Sequence, residues 1–214
     1  MLSIEIFCYN DFAENTFVVH DSQECIIVDP GCIKKQEVNE LIRFIENNHL
    51  KPISIINTHC HIDHVLGVEK IKNYFNIPFY IAKEELPVLQ SVKLYASVYG
   101  YPDFIEPVPD GFLKEGATIF LGNQIWQVIH VPGHSPGHIA LFNKSGLKCI
   151  SGDVLFNQSI GRTDLPGGNY ETLIKSIRNK IFTLPEDTII YPGHGPETSV
   201  NHEKRFNPFF SENV

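Results

Sequence analysis

The chain has 214 residues and carries 17 Lys and Arg against 25 Asp and Glu, for a net charge of −8. We expect one domain, 1–214, because this length suits a single sandwich-type unit with a sizeable core. The acidic balance argues against a nucleic-acid partner, which needs clustered Lys and Arg. No apolar run approaches about 18 residues, and residues 1–6 show no signal-peptide pattern. We therefore expect a cytoplasmic protein that does not bind membranes, with its five cysteines reduced.

Hydrophobic patterning predicts strands in two blocks, each followed by helices. Ile174, Ile177 and Ile181 stand at helical spacing, and Pro87 is compatible with the first turn of a helix. Two sheets packed face to face, with helices outside, would bury both apolar faces. In chain order the predicted elements are strands 2–9, 16–20 and 24–29, a helix 34–48, a strand 53–57, helix 68–75, strand 78–82, helix 84–99, a strand-rich block 117–151, helix 170–182, strand 188–191 and a short helix after Ser199.

The most informative motif is the run HCHIDH at positions 59–64, which follows a short apolar strand. Its three imidazoles and one carboxylate are common metal ligands. In an extended segment His59 and His61 project to the same side. The adjacent Asp63 and His64 must diverge, so one ion could hardly use all four groups. The motif therefore predicts two metal ions side by side, with one pair of side chains on each.

Three further ligand-type residues follow apolar runs, each beside glycine in a turn. They are His134 in Pro-Gly-His, Asp153 in Gly-Asp and His194 in Pro-Gly-His-Gly. Glycine lets the backbone bend sharply and approach a ligand closely. The repeated pattern indicates strand ends that converge on one rim of a sheet, where active sites often lie on loops.

These motifs resemble those of the metallo-β-lactamase superfamily, and within it the short, single-domain glyoxalase II-like (hydroxyacylglutathione hydrolase-like) hydrolases. The match is carried by Asp29-Pro30-Gly31, the run 59–64, the three loops just described and the segment 161–168. The resemblance implies an α/β fold of the αββα sandwich type, with two mixed sheets face to face and helices outside. It also implies a metal-dependent hydrolase of thioesters such as a 2-hydroxyacyl glutathione.

The resemblance further implies a set of seven metal ligands. Many true lactamases lack the histidine that matches His64 and use Cys in place of the bridging aspartate, so we expect this chain not to hydrolyse lactams. Zn is the expected metal, and Fe or Mn accept the same ligands. By position, His59, His61 and His134 would hold one ion, Asp63, His64 and His194 the second, and Asp153 would bridge both.

The expected chemistry needs few other residues. A water shared by two ions about 3.5–4 Å apart loses a proton near neutral pH, and Asp63 would orient the metal-bound hydroxide. The guanidinium group of Arg162 can bind a substrate carboxylate through two parallel hydrogen bonds. The alternative is a structural salt bridge between Arg162 and Asp164. Asp29 is a turn former or an acceptor for a ligating histidine, and we expect His138 to support a ligand rather than to bind metal.

Two other functions are alternatives. One is a mononuclear iron oxygenase like the persulfide dioxygenases, which would use His59, His134 and Asp153. The Pro-Gly-His-Gly around His194 favours a complete second metal site instead. The other alternative is hydrolysis of a different ester or a lactone. The expected partner is a small-molecule thioester, and the sequence leaves the oligomeric state open.

Overall fold

The computed structural model describes residues 2–21 and 23–210, and two six-stranded mixed sheets organise them. The first sheet lies in the first of two compact units, and the second sheet lies almost entirely in the second. The first unit comprises the chain as far as Leu113 together with Leu121–Asn123. The second comprises Lys114–Phe120 and the chain from Gln124 onward. The organisation as one domain stays a prediction.

In the first unit the strands follow one another across the sheet in chain order. Strands β1, β2 and β3 are antiparallel, and β3 to β6 are parallel. The carboxyl ends of β3, β4 and β5 therefore meet at one edge of the sheet, the usual position of ligand sites in such sheets. The strands are β1 Ser3–Tyr9, β2 Glu14–His20, β3 Glu24–Val28, β4 Lys51–Ile56, β5 Phe79–Ala82 and β6 Gly111–Leu113.

Helices α1, α3 and α4 each bury apolar residues on one side, whereas all four residues of α2 are buried. Helix α1 buries Leu41, Ile42 and Ile45 and leaves its opposite face in solvent. Its first turn is closed by Glu37, which accepts hydrogen bonds from two backbone N–H groups just before the helix. The helices are α1 Lys35–Asn47, α2 Ile62–Val65, α3 Val68–Phe75 and α4 Leu86–Tyr95, the last preceded by a 3-10 turn over Lys83–Glu85.

In the second unit the sheet has the order β14-β13-β10-β9-β8-β7. Strands β10 and β13 are parallel, and the pairs β8–β9, β9–β10 and β13–β14 are antiparallel. Helix α5 begins at a side-chain cap, where Asn169 accepts the N–H of Thr172. The elements are β7 Thr118–Leu121, β8 Gln124–His130, β9 Ile139–Asn143, β10 Lys148–Gly152, β13 Ile189–Pro192, β14 Thr198–Ser199, a separate hairpin of β11 Leu155–Phe156 with β12 Ser159–Ile160, and helices α5 Tyr170–Asn179 and α6 Val200–Phe206.

Most predicted elements are confirmed, with three differences in the helices. The predicted helix 84–99 is a 3-10 turn followed by α4, which ends at Tyr95, and Pro87 lies in the first turn of α4. The predicted helix 170–182 ends at Asn179, because Lys180 leaves the helical region of backbone space. Helix α2 within the histidine motif was not predicted, because four residues are too few to show a hydrophobic period.

Candidate metal centre

The four ligand-type residues of the histidine motif lie together just beyond strand β4. His59 and His64 are fully buried, and His61 and Asp63 are almost so. The ring centroids of His59 lie 4.8 Å from His61 and 4.1 Å from His64. The chain reaches His61 in an extended conformation and then turns into α2, which places Asp63 and His64 one helical turn further on. The end of one buried strand thus concentrates three imidazoles and a carboxylate.

Asp29 lies beneath this loop and orients two of its histidines. Its Oδ1 accepts the N–H of Thr58, and its Oδ2 accepts the Thr58 hydroxyl, both at 2.6 Å. Oδ2 also lies 3.1 Å from Nδ1 of His64. The Thr58 hydroxyl oxygen lies 3.1 Å from Nδ1 of His59. Because the hydroxyl donates its hydrogen bond to Asp29, its oxygen accepts the hydrogen bond from His59. Both histidines therefore carry their proton on Nδ1, which leaves the lone pair on Nε2 as the metal-binding atom.

Two buried residues outside the motif hold its backbone, and the sequence did not single them out. The side-chain amide of Asn57 donates to the carbonyl of His64 at 2.6 Å and to that of His59 at 3.4 Å. The carboxylate of Glu85 accepts the N–H of Cys60 at 2.8 Å. Both are fully buried. The sequence does not distinguish Glu85 from Glu84, because both are glutamates at the start of the predicted helix 84–99. Only the structure shows that Glu85 is buried and that Glu84 is exposed.

Cys60, between His59 and His61, is fully buried. Burial raises the pKa of its thiol well above the usual range, and the nearby Glu85 and Asp29 carboxylates raise it further. The thiolate is the form of cysteine that binds metals. Burial thus disfavours the thiolate form of Cys60. All five cysteines, which lie in the described part of the chain, are free thiols.

In the second unit Asp153 brings two histidines together. Strands β10 and β13 are parallel with Gly152 opposite Pro192, so the loops after them carry Asp153 and His194 to the same edge. Oδ2 of Asp153 lies 3.5 Å from Nε2 of His194 and 3.6 Å from Nε2 of His134. These separations exceed a good hydrogen bond. Each separation instead suits two ligand atoms bound to the same metal ion, because ligand atoms about 2.0–2.1 Å from a tetrahedral metal lie somewhat over 3 Å apart.

Hydrogen bonds to backbone groups position His134 and Asp153. Nδ1 of His134 lies 2.7 Å from the carbonyl oxygen of Arg162 and donates to it, which leaves the lone pair on Nε2, facing Asp153. The N–H of Asp153 donates to Nε2 of His138 at 3.0 Å. A side chain at Gly161 would overlap the carbonyl of Asp153, so glycine is needed for this approach. The ring of His138 thus contacts the candidate ligand Asp153 at the backbone N–H of Asp153.

The side chain of Arg162 forms an ion pair at the surface. Its Nε and Nη2 donate to the two carboxylate oxygens of Asp164, each at 2.7 Å. The pair lowers the pKa of Asp164 to about 2. The salt bridge anticipated from the sequence is therefore present, and substrate binding by Arg162 stays a prediction.

Comparison with known proteins identifies the family. The family model of the metallo-beta-lactamase superfamily matches residues 9–194, which include all seven candidate ligands. The chain belongs to the metallo-β-lactamase superfamily. Superfamily membership makes it a metal-binding hydrolase, and the imidazole and carboxylate donors in each unit fit that role.

The similarity extends over the whole chain. It is 37% identical over 213 residues to hydroxyacylglutathione hydrolase GloC of Haemophilus influenzae, covering 98% of this chain and 99% of that protein. It is similar to the structure of BLEG-1 B3 metallo-beta-lactamase, with a TM-score of 0.89 and 34% identity over 98% of this chain and 100% of that chain. It is also similar to TTHA1623 in a di-iron-bound form, with a TM-score of 0.85 and 34% identity over 96% of this chain and 99% of that chain. These similarities confirm the predicted α/β fold of the metallo-β-lactamase type.

Within the described part of the chain, no helix has the length and apolar character that crossing a membrane requires.

Proposed function

We propose that the chain is a binuclear metal-dependent hydrolase of thioesters, with a 2-hydroxyacyl glutathione as the type of substrate. The hydrolase class follows from the superfamily. The thioester is supported by 37% identity to a protein named hydroxyacylglutathione hydrolase, which this chain covers over 99% of its length.

The observation that carries the binuclear assignment is the hydrogen bonding behind the histidines. Nδ1 of His59 donates to the Thr58 hydroxyl oxygen. Nδ1 of His64 donates to the Asp29 carboxylate. Nδ1 of His134 donates to the backbone carbonyl of Arg162. Three imidazoles are thereby committed to binding through Nε2, which is costly to arrange for residues without a ligand. In this proposal His59, His61 and His134 hold one ion, Asp63, His64 and His194 hold the other, and Asp153 holds both.

When bound, two such cations supply a deprotonated water near neutral pH and polarise a carbonyl oxygen. The residues of the chain supply the placement. The buried carboxylate of Asp63 orients the attacking oxygen, and Arg162 recognises a carboxylate of the thiol carrier. The departing thiolate is a stable anion and needs no proton from the protein. Zn is the default metal, and the di-iron-bound relative makes iron the first alternative.

The test combines metal analysis with a substrate panel of thioesters, lactones and β-lactams. We expect chelation to abolish thioester hydrolysis and added metal to restore it. Asp63→Ala should lower kcat at least about 100-fold, because misplacing the reacting groups costs that much. Asp103→Ala, at an exposed position in the same unit, is the matched control. Metal-loaded protein that is inactive on every thioester would refute the proposal.

A second candidate is β-lactam hydrolysis, which the similarity to a B3 metallo-beta-lactamase favours. The presence of both His64 and Asp153 favours the thioester, as argued from the sequence. The panel separates the two, because a lactamase would cleave β-lactams with a higher kcat/KM than any thioester.

A further inference from the structure

One peptide group in the metal loop is held at both of its polar ends. The bond between His59 and Cys60 has its carbonyl oxygen 3.4 Å from the Asn57 amide and its N–H 2.8 Å from Glu85 Oε2. Both bonds are buried, so water does not substitute for either. Because a peptide group is planar, the short bond at its N–H end and the longer, weaker one at its carbonyl end together restrict the orientation of the backbone from His59 into Cys60. One end of that plane is the Cα atom of His59, and the other is the Cα atom of Cys60, which directly precedes His61.

The acceptor of the Cys60 N–H is a side-chain carboxyl group inside the core. Burying a polar group is unfavourable unless hydrogen bonds compensate for it. Glu84, the neighbouring residue, has its side chain in solvent. The fold therefore directs one of two adjacent glutamates into the core, towards the backbone of the metal loop.

The element that carries Glu85 is packed into the core and is not part of the segment 59–61 that Glu85 restrains. Glu85 ends the 3-10 turn that runs directly into α4. Helix α4 buries Leu89 and Val92 in the core of the first unit, and it contacts α2. The carboxylate is thus fixed from a packed helix rather than from the segment that it restrains.

We propose that Glu85 is a positioning residue of the metal centre. Through the N–H of Cys60 it sets the directions in which His59 and His61 present their imidazoles, so that metal affinity depends on a residue that touches no metal. The inference rests on the proposed role of these two histidines as ligands of one ion.

The test uses three variants of the full chain and one control. Glu85→Ala removes the acceptor. Glu85→Asp keeps a carboxyl group but shortens the side chain, so that the carboxyl group no longer reaches the N–H of Cys60. Glu85→Gln keeps an oxygen within reach. Metal affinity is measured by competition of Co²⁺ with a chelator, and ligand geometry by the visible spectrum of the Co²⁺-loaded protein. Thermal unfolding of the metal-free protein reports on folding, and Glu84→Ala is the matched control.

We expect Glu85→Ala and Glu85→Asp to weaken Co²⁺ binding about 10–100-fold, the usual effect of losing a residue behind a ligand, and to change the spectrum. Glu85→Gln and Glu84→Ala should resemble the wild type in both. If Glu85→Ala does not fold, Glu85→Asp decides.

Wild-type affinity and spectrum in Glu85→Asp would overturn the proposal. So would a Glu85→Gln variant as weak as Glu85→Ala, because the hydrogen bond would then not be what matters. A failure of the wild type itself to bind metal would instead refute the proposed function, so the two failures are distinguishable.

Discussion

Oδ2 of Asp29 lies 3.1 Å from Nδ1 of His64, although the two residues are 35 positions apart in the chain. Asp29 follows β3 directly, and its backbone has a left-handed φ of 50°. That turn sends its carboxylate across to the end of the parallel neighbour β4, where it also accepts two hydrogen bonds from Thr58. One buried carboxylate therefore joins the ends of two strands and sets the direction of a candidate ligand.

We expect Asp29→Asn to weaken metal binding about 10–100-fold. The amide has one acceptor oxygen in place of two and no charge, so it cannot serve Thr58 and His64 together. Asn tolerates a left-handed backbone, which keeps the turn intact. Competition with a chelator measures the affinity, and Asp21→Asn, in a turn elsewhere in the unit, is the control. An unchanged affinity in Asp29→Asn would mean that the hydrogen bond to His64 is dispensable.

A second prediction concerns stoichiometry. Wild-type protein prepared without chelators should approach two metal ions per chain, and His64→Ala should fall towards one. The substitution removes one member of the second ligand set and leaves His59 and His61 in place. Elemental analysis measures the ratio, and His202→Ala, at the start of α6, is the control. A ratio of one in the wild type, unchanged by His64→Ala and by added metal, would contradict the binuclear assignment.

The placement of the candidate ligands at strand ends could be predicted from the sequence, because each follows an apolar run that ends in a recognisable motif. His134, Asp153 and His194 lie in loops after β8, β10 and β13, as the pattern predicts. Asn57 and Glu85 could not be found this way, because they act on backbone atoms of the motif. Backbone partners carry no residue-type signal, and only the packing of α4 distinguishes Glu85 from its neighbour.

The shortest elements escaped prediction for a related reason. Helix α2 has four residues and β6 has three, less than the span over which a period can be recognised. Strand β6 also exposes Phe112, which hides the usual sign of burial. Its position was decided by pairing with β5, a long-range contact that local pattern does not contain.

Arg162 offers a test of substrate recognition. If it binds a carboxylate of the thiol carrier, Arg162→Ala should raise KM for anionic thioesters and leave kcat and neutral thioesters nearly unchanged, because lost uniform binding appears in KM. Steady-state kinetics on a matched pair of substrates measures this. Because the pKa of Asp164 is lowered to about 2, the ion pair persists at assay pH and is lost only as pH falls towards that value. Equal weakening on both substrates, with a lower melting temperature, would assign Arg162 to the salt bridge alone.

The last prediction separates a hydrolase from an oxygenase. In the proposed hydrolase both ligand sets are required, so His194→Ala should cripple thioester turnover. Oxidation of a persulfide on a single iron held by His59, His134 and Asp153 would not require His194 and would consume dioxygen. We therefore expect iron-loaded wild-type protein to show no substantial oxygen uptake with glutathione persulfide, as measured with an oxygen electrode. Rapid uptake that survives His194→Ala, together with negligible thioester cleavage, would establish the oxygenase instead, because only a mononuclear reaction tolerates the loss of a ligand from the second set.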